Sequence, residues 1–278
     1  MNEEIDVVIK NTKEIAEVSM AISDLNWCKP HFGLFNVIAE FSERNSNLIN
    51  TMITQVLNNF DGSYLNKEKM FFIDDFIDNR ITLFFVMRDV IENIEIIFYL
   101  LLNNSKLINN DLTINETYLN KLEKLRGKQK MKKLPISNTL SDSLLEKELL
   151  KKYGKKILPE EFKKIYNIKN ECNNYIHKNG IKYINAKEKS YHIFMIDYLK
   201  DLLFVFKFNF KLLFLLEGHI LASCDYVDYL DMGMTPPENS QYWIAPIFSD
   251  YIQNQFNKSE IDWLKENNYY GMKIHELI

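Results

Sequence analysis

The chain has 278 residues, 46% hydrophobic and 26% charged, the balance of an ordinary globule, and its 19 Phe and 15 Tyr exclude disorder of the whole chain. A net charge of −4 speaks against wholesale nucleic-acid packaging. With 8 Gly and 6 Pro the chain has few helix breakers, which predicts long helices and excludes a many-stranded sandwich or a doubly wound sheet; it also lacks the Gly-rich phosphate loop of P-loop and Rossmann enzymes.

The opening stretch MNEEIDVVIKNTKEI is acidic and amphipathic, without the basic region and apolar run of a signal peptide. A first helix is predicted over 3–25, where Ile5, Val8, Ile9, Ile15, Val18 and Ile22 recur near helical spacing. Residues 27–33, with Pro30, connect it to a second helix over 34–60 that stops at Asp61 and Gly62. The third helix covers 71–104. It is apolar on nearly all sides between Ile81 and Met87, so other helices should surround it. Arg88, Asp89, Glu92 and Glu95 at its centre are too costly for a simple membrane span. The same holds for the apolar run 202–216, which carries Lys207, Asn209 and Lys211.

Residues 105–116 are polar and read as a loop. The basic segment KLEKLRGKQKMKKLP follows (residues 121–135), with seven positive residues and one acid. Ser143 and Glu146 have capping-box spacing for a short helix to about Tyr153, ended by Gly154. Pro159, Glu160 and Glu161 suit the first turn of the next helix, which should stop at Asn179 and Gly180. A long helix is predicted over 190–224. After Pro236 and Pro237 comes an irregular tail with short helices near 242–255 and 260–268, the last capped by Ser259 and Asp262. Its aromatic residues, in QYWIAP (241–246) and at Trp263, Tyr269 and Tyr270, read as a cover over the core.

The expected architecture is one all-α domain of about seven helices. Residues 1–60 supply N-terminal helices, 71–224 the core and 225–278 a C-terminal cap, with 117–156 as a mobile basic segment. Cys28, Cys172 and Cys224 are odd in number and far apart, as free thiols in a reducing cytoplasm would be.

Two polar stripes carry the functional signal. In IYNIKNECNNYIHKNG (165–180), Tyr166, Asn170, Asn173 and His177 fall within an arc of about 60°. Ile165, Ile168, Cys172 and Ile176 form an apolar stripe centred about 120° away. The polar face therefore meets solvent, a groove or a partner. It is either a solvated surface or an imidazole held by amides near a helix C-terminus, where cations are favoured and a phosphate can be gripped. In FFVMRDVIENIEIIFYLL (84–101), Arg88, Glu92 and Glu95 share an arc of about 60°, and Arg88 and Glu92 have ion-pair spacing. Charges on so apolar a helix form either a structural pair or a site.

The pairing of MRDVIENIEIIFYLL with a later NIKNECNNYIHKNG resembles the HEPN superfamily of helical bundles, prokaryotic nucleotide-binding and ribonuclease-like domains of toxin and phage-defence systems. The resemblance spans about 71–224, with the loop between unmatched. Active members carry an Arg, then four to six intervening residues, then the His; here Asn170, Glu171 and Cys172 occupy the positions open to that Arg, and Lys169 lies one residue too far. The resemblance implies metal-independent RNA cleavage in which a 2′-hydroxyl attacks, with His177 as acid or base, Asn173 and Arg88 assisting, and Asn170, Glu92, Lys169 and Lys178 as ligand contacts. Without that Arg, transition-state stabilisation falls by roughly 3–4 kcal/mol, the usual cost of a lost preorganised charge partner.

Residues 121–164 hold fourteen Lys and Arg against six acids, an excess of eight positive charges that leaves the rest of the chain twelve negative. This stretch is either a solvated loop or a surface for RNA phosphates. Metal ligation is not expected. The five His are scattered, Glu217 and His219 are two apart and would not share a helix face, Glu188 and His192 read as a surface pair, and Asp74, Asp75 and Asp78 read as a helix face in water. Cys172 reads as core. The expectation is thus a cytoplasmic homodimer, without cofactor or membrane, that binds RNA or a nucleotide in defence or toxin systems. The alternative is a non-catalytic helical protein that dimerises or binds a small ligand or a protein partner.

Overall fold

Apolar residues recurring at three and four, with few breakers between them, build helices, and the computed structural model describes residues 3–27, 33–60, 73–102, 144–154, 157–178, 191–223 and 225–274. Its α-helices are α1 (Glu3–Trp27), α2 (Gly33–Phe60), α3 (Ile73–Leu102), α4 (Leu144–Tyr153), α5 (Pro159–Ile176), α6 (Tyr191–Glu217), α7 (Asp225–Asp231), α8 (Pro246–Gln255) and α9 (Lys258–Glu266). Two 3₁₀ turns, Gly218–Leu221 and Ser240–Tyr242, join them. The chain is all-α. Among the described residues the extended pairing is limited to isolated bridges between Ala222 and Ile244 and between Trp243 and Lys273.

Helices α1 and α2 form an antiparallel hairpin. Ser19 Oγ donates to the Ser42 carbonyl at 2.8 Å, and Ser46 Oγ to that of Ala16 at 2.9 Å. Small side chains let the helices approach, and the buried hydroxyls find backbone acceptors. Helix α3 packs against α2, α5 and α6. Leu83, Met87, Val90, Ile91, Ile94, Ile97 and Phe98 on it are all buried, as its apolar circumference predicts. Helix α6 is the second central rod. Phe206 and Phe210 share one buried face, both meeting Tyr251, while Phe208 is buried on another side and meets Phe162 edge-on. One contiguous core runs from Val8 to Met272.

The predicted boundaries hold best where backbone chemistry is local. Gly154, with φ +68°, ends α4 and donates its N–H to the Leu150 carbonyl. Pro159, Glu160 and Glu161 open α5 as expected. At its other end Lys178 takes a left-handed conformation, φ +52°; Asn179 and Gly180, the expected stop, lie outside the described residues.

Three expectations are corrected. The long helix stops at Glu217 rather than 224, because Gly218 is where the C-terminal segment crosses it. A Cβ there would sit 2.8 Å from Met272 Cγ, and the Tyr270 hydroxyl donates to the Leu216 carbonyl that the ending helix leaves open. Helix α9 is capped by Asn257 and Glu260, not Ser259 and Asp262. Asn257 Oδ1 accepts from the Glu260 N–H at 3.0 Å, and Glu260 Oε2 accepts from the Asn257 N–H at 3.0 Å. Helix α7 forms over residues where no element was expected, and the described residues hold nine α-helices against about seven expected.

The C-terminal segment packs on the core: Ile244, Phe248, Tyr251, Ile252, Phe256 and Leu264 are buried, Tyr242, Trp263 and Tyr270 lie half-buried against them, and Tyr269, expected in the cover, is exposed. No described helix is long and apolar enough to cross a membrane. The basic segment 121–135, the Ser143 cap, Cys28 and Cys224 lie outside the described residues.

Candidate functional site

Helix α5 presents its two stripes as the spacing implied. Ile165, Ile168 and Cys172 are buried and Ile176 half-buried; Tyr166, Asn170 and Asn173 are half-buried and His177 is exposed. Tyr175 joins the inward face, its ring 4.4 Å from that of Phe84 on α3. His177 is the C-cap residue, its N–H bonded to the Asn173 carbonyl at 3.0 Å, and the exposed Lys178 follows it. Asn170, Asn173, His177 and Lys178 thus share the last turns of one helix.

Lys169 does not join them. It lies beside Ile168 on the inward face, and Nζ donates to both carboxylate oxygens of Glu95 at 2.7 Å. Both side chains are almost fully buried, at 7% and 5% exposure. Burial pushes the Glu95 carboxyl up to about 7; the Lys169 charge and hydrogen bonds pull against it, Glu92 adds to the rise and Arg88 opposes it. The ammonium offered from sequence as a ligand contact is therefore a tie between α3 and α5.

The other polar residues of α3 divide in the same way. Asn93 Nδ2 donates to Asn45 Oδ1 on α2 at 2.7 Å, fully buried, and Asp89 meets Arg44 of α2 at 3.5 Å. Arg88 Nε donates to Glu92 Oε1 at 2.8 Å, half-buried, in the i,i+4 geometry expected. Glu95 and Asn93 thus hold register with two neighbouring helices, while Arg88 and Glu92 stay at the edge. Among the described residues no hydrogen bond or ion pair joins His177 to Arg88.

Beside this seam a cavity of about 30 Å³ opens between α3, α5 and α6, room for about one water. Phe84, Met87 and Cys172 line it, and Glu171, Asp197 and Asp201 form its acidic rim. Burial raises the Asp201 carboxyl above its ordinary value; Lys164, 3.7 Å away, opposes this, and Glu171 and Asp197 reinforce it. Burial, with Glu171 and Asp201 adding, pushes the Cys172 thiol far up, so it stays protonated and serves packing.

One constellation was missed. Glu217 and His219 are not on a continuous helix: the chain turns at Gly218, and Glu217 Oε1 comes 3.0 Å from His219 Nδ1, with the Tyr270 ring 5.3 Å from the imidazole. A glycine in so apolar a run was the available signal. Among the described residues no cluster of three or more His, Cys, Asp or Glu side chains is placed to hold a metal ion. The side chains of Asp74, Asp75 and Asp78, and the Glu188–His192 pair, lie outside the description.

Comparison with known protein families, with characterised proteins and with solved structures found no match.

Proposed function

We propose that the chain is a non-catalytic helical binding protein, HEPN-like in descent, that contacts an anionic ligand, RNA or a nucleotide, through the C-terminal turns of α5. Asn170 and Asn173 supply amide donors there; His177 and Lys178 supply the cationic or hydrogen-bonding tips. The observation that carries a binding role over cleavage is the engagement of the candidate cations. Lys169 is buried against Glu95, and Arg88 is paired to Glu92. Neither stands in for the Arg that the HEPN pattern places before its His. A transition state without that charge loses roughly 3–4 kcal/mol of stabilisation.

A second reading, metal-independent ribonuclease, draws on the exposure of His177 at the helix end. There His177 would move the proton while Asn173 and Arg88 hold the phosphate, two copies framing one cleft.

Fluorescence anisotropy with labelled single-stranded RNA at low salt, beside bulk RNA cleavage in EDTA, tests both. The expected result is salt-sensitive binding that Asn170→Ala/His177→Ala weakens about tenfold, with no cleavage. EDTA-resistant cleavage abolished by His177→Ala would replace the first reading with the second. No RNA or nucleotide binding at low salt would remove both.

A further inference from the structure

Single apolar side chains in water are ordinary; several gathered on one ordered turn are not. Helix α7 ends in such a turn. Gly233, φ +66°, reverses the chain; its N–H bonds to the Leu230 carbonyl at 3.0 Å and the Met234 N–H to that of Tyr229 at 2.8 Å. The two bonds form a Schellman stop, which folds Met234 back beside Tyr229. The Met232 N–H adds a third bond, to the Asp228 carbonyl at 3.1 Å. The turn is thus ordered by its backbone and not by burial of its side chains. Leu230, Met232 and Met234 remain 51%, 63% and 52% exposed.

The segment itself carries charge of one sign. Asp225, Asp228, Asp231 and Glu238 are exposed, and residues 225–238 contain no Lys, Arg or His. Methionine is unbranched and polarizable, and it adapts to partners of different shape.

We propose that this turn is a docking surface for a cationic amphipathic helix of a partner protein. The partner's apolar anchors seat on Leu230, Met232 and Met234, and its flanking Lys or Arg side chains pair with the four carboxylates. Charge decides among occupants. A second copy docked about a two-fold axis would set carboxylates against carboxylates. An anionic lipid surface would meet the same repulsion. A basic helix gains both burial and neutralisation.

The test uses the full chain and a labelled synthetic peptide of leucine and lysine with one apolar helical face. Its control is a scrambled peptide of the same composition. Anisotropy titrations are expected to show preference for the amphipathic peptide. Leu230→Ser/Met232→Ser/Met234→Ser should weaken it about tenfold or more, the scale of losing one or two buried apolar anchors. Asp228→Asn/Asp231→Asn should weaken it less and flatten its salt dependence. These positions are exposed, so unchanged thermal melts should accompany both variants. Equal binding of the scrambled peptide, or a triple variant that binds like the wild type, overturns the proposal. So does self-association or vesicle binding of the wild type that the triple variant abolishes, since either assigns the turn to another occupant.

Discussion

The buried Lys169–Glu95 pair sets the strongest expectations for single residues. Two charges out of water remain tolerable only while each holds the other. Lys169→Met leaves a lone buried carboxylate and should cost about 3–5 kcal/mol in urea unfolding. Lys169→Met/Glu95→Leu should be less destabilised than that single variant, because the desolvation penalty goes with the charges. The pair also sets a pH dependence. The folded-state value of Glu95 is raised to about 7, so below about 4.5 both states hold the proton and the contribution is fully present. Between about 4.5 and 7 the unfolded chain has released a proton that the folded chain keeps, and stability falls as pH rises. Asp201 acts in the same direction. Glu260 acts oppositely: burial raises it, but hydrogen bonds from Lys207 and the Asn257 N–H, with the Lys211 charge, outweigh that and lower it. The difference between wild type and Glu95→Gln melts across this window isolates the Glu95 share, and an identical slope in both would refute the assignment.

At the scale of elements, boundaries were legible where a residue's own backbone preference decides them and illegible where a neighbour decides. Gly154, Pro159 and the paired acids after it announce their roles by local chemistry alone. The end of α6 depends on Met272 and Tyr270 arriving from more than fifty residues away. Ser259 and Asp262 have the spacing of a cap for α9, but Asn257 holds that place because its backbone is extended there, φ −79° and ψ 170°, as a cap requires. Asn257→Ala should therefore cost about 1 kcal/mol in thermal or urea unfolding, while Ser259→Ala should cost little. Equal losses in the two variants would restore the other cap. Glu260 does more than close the box: it accepts from Lys207 at 2.7 Å and meets Lys211 at 3.2 Å, pinning α9 onto α6.

For the whole molecule, charge is unevenly spread along the chain, positive over 121–164 and negative elsewhere. If RNA phosphates meet that positive stretch together with the end of α5, the affinity in the proposed titration should fall steeply with salt, roughly 0.7 log unit per log unit of salt for each phosphate neutralised on a single strand. A shallow slope would confine the contact to His177 and its neighbours. The helical class, the central place of the two most apolar helices and the two faces of α5 could all be read in advance, because an α-helix repeats every 3.6 residues whatever surrounds it. The partner of each polar side chain could not. Arg88, Glu92 and Glu95 are equivalent on a helical wheel, yet Glu95 is drawn inward by Lys169 while Arg88 and Glu92 keep each other at the edge. Periodicity is a property of one segment, but burial and pairing belong to the helices facing it. Only their packing determined which charges became ties within the core and which were left where a ligand can reach them.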